Sequence, residues 1–128
     1  MMEKIAVHSE NAPKAIGTYS QAIKVGDTIY LSGQIPLKPH SMELISDDFT
    51  AATRQVLDNL SAVAKAAGGK LDDIVKLQVY LLDLENFVTV NELMKEYFTA
   101  PYPARAAVQV AALPKGAVVE MDAILVLT

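Results

Sequence analysis

The chain has 128 residues, of which 52% are hydrophobic and 20% are charged, and its formal net charge is −4. This size suits a single domain, residues 1–128, with one hydrophobic core. The acidic balance disfavours non-specific binding to nucleic acid, which depends on clustered positive charge. The chain contains no cysteine, which excludes disulfides and thiolate metal sites. Its sequence shows no secretory signal pattern and no apolar run of about 18 residues, so we expect a cytoplasmic protein without membrane segments.

The first predicted element is a β-hairpin. Residues 22–25 and 28–31 are rich in strand-forming side chains, and Gly26-Asp27 between them suits a two-residue turn. Residues 35–42 follow with two prolines, which predicts a loop or an irregular edge.

An amphipathic helix is predicted after this loop. Apolar side chains recur at three- and four-residue steps over residues 49–67, the spacing of one helix face. Ser46 is the predicted N-cap. Gly68-Gly69 is predicted to end the helix, since glycine readily takes the left-handed conformation found at helix C-termini.

The second half of the chain is predicted to contain a strand, a helix and two further strands. Residues 74–82 alternate as a strand, Asp83 caps a helix that runs to about Phe98, and prolines prevent its continuation. Residues 105–111 and 117–127 are the last two strands. Strands with one apolar face and two amphipathic helices predict an α+β fold, a two-layer sandwich of a mixed β-sheet with two helices on one face.

The last two strands carry charged and polar side chains on an otherwise apolar background. By strand alternation, Arg105, Ala107 and Gln109 share one face of their strand, and Glu120 and Asp122 share one face of the next. We expect Arg105 and Glu120 to lie on the same mixed face of the sheet. This face is too apolar for solvent and too charged for a core, so a subunit interface that contains a polar site fits it best.

Arg105 and Glu120 each allow two interpretations. The guanidinium of Arg105 could bind a carboxylate through paired donors, or it could form a structural ion pair with Glu120 or Asp122. Glu120 could be a half-buried general base with a raised pKa that activates water. Alternatively, Glu120 is an ordinary strand acid that faces solvent or bonds to Arg105. The spacing of the residues alone does not decide between the two interpretations of Arg105 or between those of Glu120.

Three other positions could contact a ligand. Tyr19 precedes the hairpin and either presents its hydroxyl to a ligand or packs against the protein. In Ser32-Gly33-Gln34, glycine would let a ligand or water approach the backbone. Asn91 lies inside a predicted helix, where asparagine is disfavoured, and is either a polar contact or simply exposed. Metal, nucleotide and catalytic-triad chemistry are disfavoured, because the sequence lacks a metal-binding histidine pair, a glycine-rich phosphate loop and a histidine tied to a serine.

Several motifs taken together resemble the RidA (YjgF) family. The resemblance covers nearly the whole chain in order, and the segments that carry it are residues 11–13, 16–22, 31–36, 55–68, 75–79, 103–105, 113–116 and 119–120. It implies a fold like that of the bacillus-type chorismate mutase and a homotrimeric barrel whose clefts lie between neighbouring subunits. It also implies hydrolysis of 2-aminoacrylate-derived enamines and imines to 2-oxo acids and ammonia, without a cofactor or a metal.

The resemblance also assigns roles to individual residues. Arg105 matches the arginine that grips the substrate carboxylate, and Glu120 matches the acid that positions and activates the attacking water. The other implied substrate-binding residues are Tyr19, Ser32, Gly33, Asn91 and Ala107. Relatives often have cysteine at the position of Ala107, and alanine retains the backbone carbonyl implied to contact water. Asp122 stands where glutamate is more usual.

Two functions from other classes stay open at this point. One is a non-catalytic trimer that binds 2-oxo acids or acts as a chaperone through apolar surface. The other is an endoribonuclease activity, which has been attached to some members of the family. The acidic balance and the absence of a histidine near the expected site argue against the nuclease.

Overall fold

The computed structural model describes residues 3–128, which form one mixed sheet covered by two helices. The strands are β1 (Lys4–Val7), β2 (Ala22–Val25), β3 (Thr28–Gln34), β4 (Ile74–Leu81), β5 (Ala104–Gln109) and β6 (Val119–Val126), and the helices are α1 (Phe49–Ala66) and α2 (Phe87–Tyr97). The order of strands across the sheet is β1-β2-β3-β6-β4-β5. Only β4 and β5 are parallel neighbours. The predicted α+β sandwich with a mixed sheet is confirmed.

The hydrophobic core lies between one face of the sheet and the two helices. Alternate residues of the neighbouring strands β4 and β6 point into it and are fully or almost fully buried, namely Leu77, Val79, Leu81, Val119, Met121, Ala123 and Leu125. The buried stripe of α1 that meets them includes Val56, Leu57, Leu60 and Val63. Each such Val, Leu or Met side chain contributes about 1.5–3 kcal/mol relative to an exposed one, so this layer supplies most of the driving force for folding.

The hairpin, the loop and both helices are confirmed, with corrections at the helix starts. Asp48, not Ser46, is the N-cap of α1, and its carboxylate accepts a hydrogen bond of 3.0 Å from the Ala51 amide. Asp83 caps a short 3₁₀ turn that precedes α2 rather than α2 itself. Strand β1 had no predicted counterpart, because its four residues are too few for a clear alternation. Within residues 3–128, no helix combines the length and apolar character needed to cross a membrane.

The prediction that Arg105 and Glu120 share a face of the sheet is wrong. Arg105 pairs with Leu77, which is buried under the helices, whereas Glu120 pairs with Tyr80 on the opposite face. Directly paired residues point to the same side of a sheet. Arg105 therefore faces the helical layer, and its strand neighbour Val108, which is 46% exposed, lies on the other side of the sheet.

Candidate active site

The structure divides the seven predicted site residues into two groups. The first group, here called the glutamate cavity, lines a cavity of about 490 Å³ and contains Tyr19, Ser32, Gly33 and Glu120. The second group, here called the arginine cluster, lines clefts at the junction of β5 and α2 and contains Asn91, Arg105 and Ala107. The two groups share no lining residue, so each has to be described separately.

A bulge in β3 forms one wall of the glutamate cavity. The pairing of β3 with β6 shifts its register between Leu31 and Gln34, and such a shift leaves the residues in between outside the regular ladder. These residues are Ser32 and Gly33. The Ser32 hydroxyl donates a hydrogen bond of 2.6 Å to the Ser20 carbonyl, which ties the bulge to the preceding loop.

Gly33 makes room for the Glu120 carboxyl group. A Cβ atom placed on Gly33 would overlap Oε2 of Glu120 and would lie 3.0 Å from its Cδ. The φ angle of Gly33 is outside the left-handed region, so the backbone conformation itself does not require glycine. Space for the carboxyl group is therefore the reason for glycine at this position.

Gly33→Ala is expected to displace the Glu120 carboxyl group and to reduce any activity that depends on it by about 10–100-fold, since small misplacements of a reacting group have effects of this size. Circular dichroism and the thermal midpoint should change little, because alanine introduces no backbone strain at this φ. A variant with unchanged kcat would contradict the close approach of residue 33 to the carboxyl group.

The environment of Glu120 favours its neutral form. Glu120 is half-buried, and burial raises its pKa above the ordinary value, with a further rise from the negative charge of Asp122. No hydrogen bond from another side chain offsets these two effects in the described part of the chain. A raised pKa makes the carboxylate of Glu120 a stronger base than an ordinary carboxylate, which suits it to take a proton from water.

The same shift predicts a pH-dependent effect on stability. The folded-state pKa of Glu120 lies above its unfolded value, so ionisation of Glu120 destabilises the fold as the pH rises through the folded pKa. Glu120→Gln removes this cost and is expected to raise the thermal midpoint by about 1–3 °C at neutral pH. The difference should vanish below the ordinary carboxyl pKa. A midpoint that falls at neutral pH would contradict the proposed environment of Glu120.

In the arginine cluster, α2 holds the guanidinium of Arg105 from one side. Nη1 of Arg105 donates hydrogen bonds to Oδ1 of Asn91 at 3.0 Å and to Sδ of Met94 at 3.4 Å. The guanidinium carbon lies 4.4 Å from the centroid of the Phe87 ring, a stabilising cation–π distance. These contacts orient the side chain without neutralising its charge.

Arg105 has no acidic partner in the described part of the chain. The ion pairs of residues 3–128 join His8 to Glu10, Arg54 to Glu96 and Lys95 to Glu92. The structural ion pair of Arg105 with Glu120 or Asp122 is therefore excluded within one chain. Both hydrogen bonds of Arg105 use Nη1, which leaves the Nη2–Nε edge to match the two oxygens of a carboxylate.

Tyr19 belongs to the glutamate cavity and Ala107 to the arginine cluster. Tyr19 is 52% exposed, and its hydroxyl oxygen accepts a hydrogen bond of 3.1 Å from the Ile16 amide. The hydroxyl proton stays available to a ligand, because the oxygen acts here as an acceptor. Ala107 lines the same cleft as Arg105 and Phe87.

The sequence did not single out Lys14, Met42 and Lys115 as site residues, yet all three line the glutamate cavity. They come from three different loops, and nothing in the sequence shows that these loops meet. The positive φ angles of Met42 (60°) and Lys115 (57°) are uncommon for residues other than glycine. Such backbone conformations are fixed by tertiary contacts, which a sequence pattern does not reveal.

The histidines lie outside both groups. His8 and His40 line another cleft, where Nε2 of His8 is 2.8 Å from a Glu10 carboxylate oxygen. Across residues 3–128, no three or more His, Asp or Glu side chains are arranged to hold a metal ion. The chemistry available at the two groups is carboxylate binding by Arg105 and proton transfer by Glu120.

The model of a family described as Endoribonuclease L-PSP matches residues 9–127, nearly the whole chain. The chain belongs to the RidA family. The human 2-iminobutanoate/2-iminopropanoate deaminase is 48% identical over 118 residues, which are 92% of this chain and 86% of the human protein. The crystal structure of RidA from the Antarctic bacterium Psychrobacter sp. is similar with a TM-score of 0.93 and 51% identity, and covers 96% of this chain and 99% of that one.

A second similar solved structure contains a ligand. The crystal structure of E. coli TdcF with bound serine is similar with a TM-score of 0.90 and 38% identity, and covers 98% of this chain and 100% of TdcF. The chain therefore shares its fold with these solved structures over nearly its full length. Within a single copy of this chain, the arginine cluster and the glutamate cavity lie on opposite faces of the sheet.

Proposed function

We propose that this protein is an enamine/imine deaminase that hydrolyses reactive 2-aminoacrylate-type intermediates, such as 2-iminobutanoate and 2-iminopropanoate, to 2-oxo acids and ammonia. The observation that carries the proposal is the guanidinium of Arg105, which is oriented by Asn91 and has no acidic partner in the described residues. A proton-exchanging carboxyl group, Glu120, with a raised pKa at the glutamate cavity supplies the second requirement. The name of the human relative and the serine bound to TdcF are consistent with a small amino-acid-like substrate.

We infer that the active site forms between copies of the chain in a homotrimer. A cyclic assembly places one surface of a subunit against a different surface of its neighbour, so the arginine cluster of one copy can meet the glutamate cavity of the next. Apolar side chains next to both groups support such contacts. Val88 beside Arg105 is 69% exposed, and Ile16, which lines the glutamate cavity, is 55% exposed.

In the proposed reaction, Arg105 binds the substrate carboxylate and holds the imine carbon near a water molecule. Glu120 removes a proton from this water as its oxygen bonds to the imine carbon, and the imine nitrogen takes up a proton. That proton comes from solvent. Glu120 then returns its own proton to the nitrogen, and the carbon–nitrogen bond breaks with its electron pair leaving on ammonia. At the same time the hydroxyl oxygen forms the carbonyl of the 2-oxo acid and releases its proton to solvent, so that no net proton is consumed. Imines are already electrophilic, so two polar residues and water suffice and no cofactor is expected.

The direct test couples the purified protein to a threonine dehydratase, which releases the imine, and follows the decay of the imine over time. We expect decay faster than the spontaneous rate, in proportion to the concentration of the protein. An unchanged lifetime of the imine at every protein concentration would contradict the proposal. If 2-oxobutanoate bound to the protein in that case, the result would favour the non-catalytic sensor.

The endoribonuclease alternative is favoured only by the description of the matching family. Both histidines lie in a cleft other than the glutamate cavity, and the net charge of −4 disfavours binding to RNA. Cleavage of a labelled RNA that persists after substitution of Arg105 and Glu120 would point to a contaminant or a separate site. Cleavage that requires both residues would support the nuclease.

A further inference from the structure

The proposed reaction does not use a hydrogen-bonded pair that lies beside Glu120. The Tyr80 hydroxyl donates a hydrogen bond of 2.8 Å to Oδ2 of Asp122, and the Gln78 amide oxygen lies 2.9 Å from the same hydroxyl. All three side chains are partly buried. A hydrogen bond from a tyrosine hydroxyl to an ionised carboxylate is charge-assisted and therefore strong, so the Tyr80 hydroxyl holds the Asp122 carboxylate in one place.

The pairing of β4 with β6 explains how these groups meet Glu120. Tyr80 is directly opposite Glu120, and Gln78 is directly opposite Asp122. Glu120 and Asp122 are two residues apart on one strand and point to the same face, about 7 Å apart along the strand. The Tyr80 side chain therefore lies beside Glu120 and reaches diagonally to Asp122, which fixes a second carboxylate near the first.

The charges around Glu120 come from several elements. The titratable side chains that face it are Tyr80 of β4, Asp122 of β6, and Lys14, Tyr19 and Lys115 of the loops that line the cavity. The bulge of β3 contributes no charged side chain. Apart from burial, Asp122 is the group that raises the pKa of Glu120, and the two lysines do not reverse the effect.

The hydrogen bond to Asp122, with smaller effects from burial and the charges of Asp122 and Glu120, raises the pKa of Tyr80 to about 12, so Tyr80 stays a donor at neutral pH.

We propose that Asp122, held in place by Tyr80, is a positioning residue for Glu120. Its fixed negative charge raises the pKa of the Glu120 carboxyl group, which makes Glu120 a stronger base toward water and lets the same group return the proton to the departing nitrogen. This inference rests on the proposed deaminase function for its catalytic part. Its electrostatic part concerns Glu120 alone and can be measured without any substrate.

The test is a titration of the Glu120 side-chain carboxyl carbon by ¹³C NMR in the intact oligomer, with the resonance assigned by its loss in Glu120→Gln. We expect Asp122→Asn to lower the pKa of Glu120, because it removes the nearby negative charge that raises it. Asparagine still offers an oxygen to the Tyr80 hydroxyl, so the fold should be retained. Asp122→Glu keeps the charge and should keep the pKa raised, whereas Asp47→Asn, at an exposed position, should leave it unchanged.

The imine-decay assay provides the second readout. The acidic limb of the pH profile of kcat/KM should move to lower pH in Asp122→Asn by the same amount as the titration, and Tyr80→Phe should produce a smaller shift in the same direction. A Glu120 titration that is unchanged in Asp122→Asn would overturn the inference. A shifted titration with an unmoved acidic limb would overturn the role of Asp122 in catalysis. Absence of imine hydrolysis by the unaltered protein would instead refute the proposed function, and the titration would then still decide the electrostatic part.

Discussion

Glu120→Gln is expected to lower kcat for the hydrolysis of 2-iminobutanoate by about 10²–10⁴-fold, the usual contribution of a general base. Glutamine has nearly the same shape as glutamate and fits beside Gly33, but its amide cannot accept a proton from water. Because substrate binding depends on Arg105 and not on this group, KM should change much less than kcat. The measurement is the imine-decay assay at saturating substrate.

A matched control for this variant is Glu43→Gln, which makes the same chemical change at an exposed loop position. It should leave kcat within about twofold of the unaltered protein. We also expect Glu120→Gln to raise the thermal midpoint at neutral pH. A measured midpoint at or above that of the unaltered protein would show that the loss of activity is not caused by unfolding. If Glu120→Gln retained full activity, Glu120 would not be the proton acceptor.

The second large effect is expected at Arg105. Arg105→Ala removes two charge-assisted hydrogen bonds to the substrate carboxylate, each worth about 1.5–3 kcal/mol, and should lower kcat/KM by about 10²–10⁴-fold. Most of the loss should be an increase in KM. Arg105→Lys keeps the charge but loses the paired geometry, so it should recover only part of the lost kcat/KM.

Arg54→Ala is the control for the removal of an arginine. Arg54 forms a partly exposed ion pair with Glu96 at 2.8 Å and lines neither the glutamate cavity nor the clefts of the arginine cluster. Its loss should affect stability slightly and kcat/KM hardly at all. An Arg105→Ala variant as efficient as the unaltered protein would show that the substrate carboxylate binds elsewhere.

Local sequence patterns were sufficient to predict most of the fold. The stripe of apolar residues from Phe49 to Ala66 is long enough to identify α1 without any tertiary information. The alternation from Ile74 to Leu81 and the Gly26 turn identify strands in the same way. The choice between Ser46 and Asp48 as N-cap depends on the angle at which the chain enters α1, and both residues are suitable caps.

The face on which Arg105 lies could not be predicted from its own strand. Alternation shows that Arg105 and Ala107 lie on the same face of β5. Which side of the sheet that face occupies depends on the register of the parallel pairing between β5 and β4. A shift of one residue in that register would turn Arg105 to the other face. Gly33 was identifiable as a candidate because it interrupts a strand, whereas its contact with Glu120 depends on the bulge in β3.

The central claim is that Arg105 of one copy and Glu120 of another form each active site. The most direct measurement mixes Arg105→Ala and Glu120→Gln subunits, by joint refolding or co-expression, and compares the activity with that of each variant alone. If each site takes Arg105 from one subunit and Glu120 from another, random mixing of equal amounts leaves both residues intact at about a quarter of the sites. We therefore predict recovery of about a quarter of the activity of the unaltered protein. Mixed oligomers as inactive as the separate variants would contradict the claim.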